Sequence, residues 1–166
     1  MKEILRTEDA GPDGLTEEQM RQNVINLAFG GDDDKFQEFC DLIQVAVPPG
    51  TSAVLRGSSV TGERYDDGAP FDADGPGTSD LDLTLIGGDV VDMYNVLTGT
   101  YFPGVHTKPM GDDHPNIAPS LEPLREKLCS LVCRPVNIQA SRDIWQQLRG
   151  DLMGQPYLTL FGEVGG

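Results

Sequence analysis

Asp80 and Asp82 stand two positions apart where a polar stretch gives way to the apolar run Leu81 to Ile86. Alternate side chains of a strand share a face, so both carboxylates point one way while Leu81, Leu83 and Leu85 point into a core. Carboxylates held side by side repel one another unless a cation lies between them. Magnesium suits such a pair, because it takes oxygen ligands and keeps places for water and phosphate, and manganese accepts the same donors. A second apolar run, Ser52 to Arg56, leads into Gly57-Ser58-Ser59. Glycine lets a backbone approach phosphate closely, and serine beside it can donate a hydrogen bond. Asp80 and Asp82 are thus candidate metal ligands, and Gly57, Ser58 and Ser59 candidate nucleotide contacts.

Two plainer readings compete. One is a solvated acidic turn ahead of an edge strand. The other is a calcium loop, since Asp72-Ala73-Asp74-Gly75 looks like part of an EF-hand. With Asp72 first, however, the twelfth position is Leu83, where a bidentate Glu is required. The calcium reading fails on spacing.

A Gly-Ser turn leaving one apolar run, followed by Asp-x-Asp at the head of another, resembles the nucleotidyltransferases of the DNA polymerase beta superfamily. The likeness covers residues 34–145. It implies an α/β (α+β) fold, a small mixed sheet flanked by helices. It also implies magnesium- or manganese-dependent transfer of a nucleoside monophosphate from a nucleoside triphosphate such as ATP. The acceptor would be a hydroxyl on a small molecule, a protein or an RNA end. In that family Gly57 and Ser58 would hold the triphosphate, and Asp80 and Asp82 the metal. A third carboxylate usually stands on a neighbouring strand; here Pro135 to Gln139 offers Asn137 at the matching polar position. An amide oxygen can ligate a metal but cannot serve as a base. The alternative is therefore a catalytically impaired nucleotide-binding module acting as a regulatory, toxin or antitoxin partner protein. His106, Lys108, Asp112, Asp113 and His114 are the other candidates for base or phosphate contact. Arg56, Arg64 and Arg134 are further candidates for phosphate.

A formal charge of −15 repels phosphate backbones, which argues against bulk nucleic-acid binding and fits a small substrate or a basic protein partner. The opening Met1-Lys2-Glu3-Ile4-Leu5-Arg6 has no apolar signal core, and no run approaches the ~20 residues of a membrane span. Cys40, Cys129 and Cys133 read as small buried hydrophobes of a reducing compartment, so a cytoplasmic setting is expected.

The elements that must position the site follow from pattern. Residues 1–14 read as a loose lead-in and 15–166 as one nucleotidyltransferase-like domain. Thr16-Glu17-Glu18-Gln19 is a capping box opening a helix with Met20, Val24, Leu27 and Ala28 on one face. Asp32-Asp33-Asp34 opens a second helix, with Phe36, Phe39, Cys40, Ile43 and Val47 as its stripe. Strands are expected at Ser52–Arg56, Asp80–Ile86 and Pro135–Ala140, with Tyr157–Phe161 as an added edge. Helices are expected over Asp89–Leu97, from Ser120 with Leu121, Leu124, Leu128 and Leu131 inward, and from Ser141 with Ile144, Trp145, Leu148 and Leu152. Residues 63–78 and Thr98–Ala118 read as long loops.

Overall fold

The computed structural model describes residues 15–64, 67–143 and 156–162. The first helix, α1 (Glu17–Ala28), begins on the expected capping box: Thr16 Oγ accepts from Gln19 N, and Gln19 Oε1 accepts from Thr16 N. Ile25, not the more exposed Leu27, completes its buried face. Asp32 caps α2 (Asp33–Ala46) by accepting from Lys35 N, so the three aspartates serve a helix start. Phe29 packs edge-on against Phe36 and Phe39 and locks the two helices together.

Among the described residues the sheet has six strands in the order β3-β4-β5-β2-β1-β6: β1 (Ser52–Arg56), β2 (Leu81–Ile86), β3 (Thr100–Phe102), β4 (His106–Thr107), β5 (Val136–Ser141) and β6 (Tyr157–Phe161). Only β2 and β5 are parallel; the other pairs are antiparallel, which makes the sheet mixed. Short helices α3 (Ser58–Thr61) and α4 (Gly88–Val91) follow β1 and β2, and α5 (Glu122–Val132) precedes β5. The architecture is mixed α+β, as the alternation of apolar patterns predicts.

Strand pleating sorts the sheet into two faces. Ala53, Leu55, Leu81, Leu83, Leu85, Val136, Ile138 and Ala140 join the helices' apolar side chains in one core. The register stacks the opposite positions in rows: Arg56 beside Asp82 beside Asn137, then Val54, Thr84 and Gln139, then Ser52, Ile86 and Ser141. One face is thus oily and the other largely polar.

Several expectations need correction. Thr98–Ala118 is not structureless: it supplies β3 and β4, and Met110 bridges Ile138 in both directions. These strands are two or three residues long, too short to show a period. The helix expected over Asp89–Leu97 is a single turn ending at Val91, and beyond it Asn95 Oδ1 accepts from Leu97 N and Thr98 N in a separate turn. A 3-10 turn, Pro119–Leu121, stands where α5 was expected to start, and Val132 rather than Leu131 is buried. Of the loop expected over residues 63–78, the described residues 67–78 form a strap tied by its own hydrogen bonds. Cys133 is exposed, because it ends α5 in a left-handed conformation, and Cys129 is half-buried. Ser141 ends β5 instead of capping a helix; the helix expected over Ile144, Trp145, Leu148 and Leu152, like the lead-in 1–14, lies outside the described residues. Among the described residues no helix is long and apolar enough to cross a membrane.

Candidate functional site

The carboxylates expected to share a face do so, at the end of the sheet where β2 and β5 begin. Asp80 immediately precedes β2, Asp82 is its second residue, and Asn137 on β5 is the register partner of Asp82. All three are half-buried. Asn137 Nδ2 donates to Asp80 Oδ2 at 2.6 Å and to Asp82 Oδ1 at 3.4 Å. The amide therefore lies between the two acids and partly screens their repulsion, in the manner of a weak resident donor. Arg56, the other cross-strand neighbour of Asp82, brings a positive charge to the same row.

The Gly57 turn lies directly against this group. Gly57 has φ +91°, a backbone that disfavours side chains, and a β-carbon there would stand 2.9 Å from Asp82 Oδ2. The backbone conformation favours glycine here, and any side chain would press the Asp82 carboxylate aside. Ser58 opens α3 and is half-buried, whereas Ser59 is fully buried and its Oγ has no hydrogen-bond partner. An unmatched buried hydroxyl costs stability, and such groups cluster where a ligand completes the bonding.

Two features of the surroundings were not legible in the sequence. Gly111 runs past Asn137 so closely that a β-carbon there would collide with Asn137 Oδ1. Asp72, on the strap of residues 67–78, holds Arg134 in a two-pronged ion pair and bonds Ser79, the neighbour of Asp80. The Arg134 guanidinium and the backbone N–H groups of Ser79 and Gly77 hold the Asp72 carboxyl down to about 2. Arg134 and Asp72 are 62 positions apart, and no local pattern links them.

Of the other basic candidates, Arg64 bonds Asp74 and Asp67 within the strap. His106 is not a base at this site. It is buried two register rows away, beside Ser141, about 13 Å along β5 at ~3.3 Å per residue. Its Nδ1 meets Ser141 Oγ at 3.0 Å and its Nε2 meets Gln139 Nε2 at 3.1 Å. Gln139 Oε1 accepts from Arg56 and its Nε2 donates to Thr107 O, which fixes the amide's direction. His106 Nε2 is then an acceptor, and the ring proton sits on Nδ1. Asp112 turns to Arg125 at 3.0 Å, while Asp113 is exposed and His114 half-buried beyond Gly111.

Do these residues fit a divalent cation? Asp80 and Asp82 supply oxygen donors on one face, and Asn137 could add a third by turning its oxygen inward. Among the described residues no group of three His, Cys, Asp or Glu side chains gathers around one point, so the set is two acids and an amide. That suits one hard cation which keeps water and phosphate ligands. No family model matches the chain, and the searches of curated proteins and solved structures return no match.

Proposed function

We propose that this protein is a metal-dependent nucleotidyltransferase that moves a nucleoside monophosphate from a nucleoside triphosphate to a hydroxyl acceptor. The observation that carries the reading is the packing of the Gly57 turn against Asp82, 2.9 Å from where a side chain would begin. Phosphate-approaching backbone and metal-ligating acids are thereby adjacent. Ser58 and the buried Ser59 hydroxyl donate towards phosphate, Asp80 and Asp82 hold magnesium or manganese, and Arg56 offsets charge beside them. When bound, the metal would neutralise phosphate charge and help align the leaving group. The chain's part is to orient the triphosphate and the acceptor, which is most of what phosphoryl transfer asks of a protein.

Asn137 favours a second reading. It stands where the family's third acid would accept the acceptor's proton, and an amide cannot take one. A module that binds metal–nucleotide without transfer, acting as a regulatory, toxin or antitoxin partner, fits that residue. The deciding experiment incubates the protein with magnesium, each α-labelled triphosphate and cell-extract acceptors. Label transferred by wild type and lost in Asp80→Asn supports the enzyme. Magnesium-dependent binding without transfer supports the module, and the absence of both rejects each reading.

A further inference from the structure

We propose that Asp72, Arg134 and Ser79 form a clamp that positions the Asp80 carboxylate, which makes the strap of residues 67–78 part of the site. The proposal deepens the reading of Asp80 as a metal ligand and rests on it.

All three polar groups of Ser79 are engaged by the clamp. Its N–H donates to Asp72 Oδ1 at 3.0 Å, its Oγ accepts from Asp72 N at 2.8 Å, and its carbonyl accepts from Arg134 NH1 at 2.8 Å. Arg134 also donates to both oxygens of Asp72, at 2.8 and 3.1 Å. The guanidinium lies over the Phe71 ring, 4.5 Å from its centre, and the Arg134 side chain is only 8% exposed. On the far side of Asp80, Leu81 N donates to Pro135 O, next in chain to Arg134. Asp80 is thus suspended between two backbone points that Arg134 and its neighbour both fix. Phe71 N, one residue before Asp72, donates to Gly62 O, at the close of the Gly57 turn. One segment therefore joins the phosphate-facing turn to the metal-facing acid.

A forked ion pair of this kind imposes direction as well as attraction, and lysine cannot reproduce it. Asp72 sits at φ +60°, a conformation that Asp tolerates and that turns its carboxylate back onto the chain. If the clamp served only the strap's stability, Asp80 would be indifferent to it. If it positions Asp80, the Asn137 amide will register its loss, because Asn137 donates to Asp80 at 2.6 Å.

The test is nitrogen-15 NMR of the full chain, following the Asn137 side-chain amide in wild type, Asp72→Ala, Asp72→Asn and Arg134→Lys. Manganese affinity and thermal unfolding are measured alongside. The amide resonance should move in Asp72→Ala and move less in Arg134→Lys and in Asp72→Asn, which keeps the shape and an acceptor oxygen at φ +60°. Manganese affinity should fall by about tenfold to a hundredfold in Asp72→Ala, the range seen when groups supporting metal ligands are lost. Should Asp72→Ala fail to fold, Arg134→Lys carries the comparison. An unmoved amide in a folded variant overturns the clamp. If wild type takes up no manganese, the metal reading fails, and the amide shifts still decide whether Asp80 is positioned this way.

Discussion

Two polar clusters lie on the same face of the sheet, at opposite ends of β5, and they are built on opposite terms. At the far end His106, Gln139 and Ser141 are buried and matched donor to acceptor. At the near end two acids face one amide, a buried serine hydroxyl has no partner, and the side chains remain half-open to solvent. A matched cluster completes a core, while one that is half-open and carries an unbonded buried hydroxyl leaves donors and acceptors to offer a ligand. His106 was a secondary candidate for a base in the sequence, yet it belongs to the matched cluster.

The comparison can be broken at either end. The largest effect is expected for Asn137→Asp. A third carboxylate would supply a base, and transfer should rise about a hundredfold or more. The same change replaces a donor with a like charge, so thermal stability should fall without magnesium and recover with it. A variant whose unfolding ignores magnesium would mean that no cation enters there.

Next comes His106→Ala, which strands Gln139 and Ser141 in the interior. Unfolding free energy should drop by about 2 kcal/mol, measured in denaturant, because buried polar groups lose their partners. Manganese affinity should hardly change. A large loss of affinity would join the two clusters and defeat the distinction drawn between them.

Gly57→Val puts a branched side chain at φ +91° against Asp82. Triphosphate affinity should weaken by about tenfold, with strain of about 1–3 kcal/mol seen in unfolding. Equal affinity in a folded variant would mean the turn does not face phosphate.

The smallest effect is at acid pH. Asp72 is held down to about 2, below the usual 3.8, so its pairing stabilises the fold fully above pH 4 and fades as pH falls towards 2. The stability gap between wild type and Asp72→Asn should narrow over that window. A gap that stays constant would show that the ion pair does not titrate with the fold.

Much of the scaffold was readable because its residues obey local rules. The Thr16–Gln19 box, the Asp32 cap and the alternation through β1, β2 and β5 are decided within a few positions of each residue. The period of two gave Asp82 and Asn137 their faces, while their place on neighbouring strands was expected only from the resemblance. The missed parts depend on partners far along the chain. β3 and β4 are too short to show a pattern, Gly111 matters only because Asn137 is opposite, and Asp72 reveals its role only beside Arg134. Arg134 itself looked like a phosphate contact, since sequence shows its charge but not the acid that engages it.

The central claim is that the Asp80–Asp82 pair and the Gly57 turn make one metal-dependent nucleotide site. Calorimetric titration of each of the four nucleoside triphosphates, with and without magnesium, tests it on wild type and on the double variant Asp80→Asn, Asp82→Asn. The account predicts binding of at least one triphosphate that requires magnesium and disappears in a double variant of unchanged circular dichroism. A double variant that binds magnesium–nucleotide as tightly as wild type, or a wild type that takes none of the four, would contradict it.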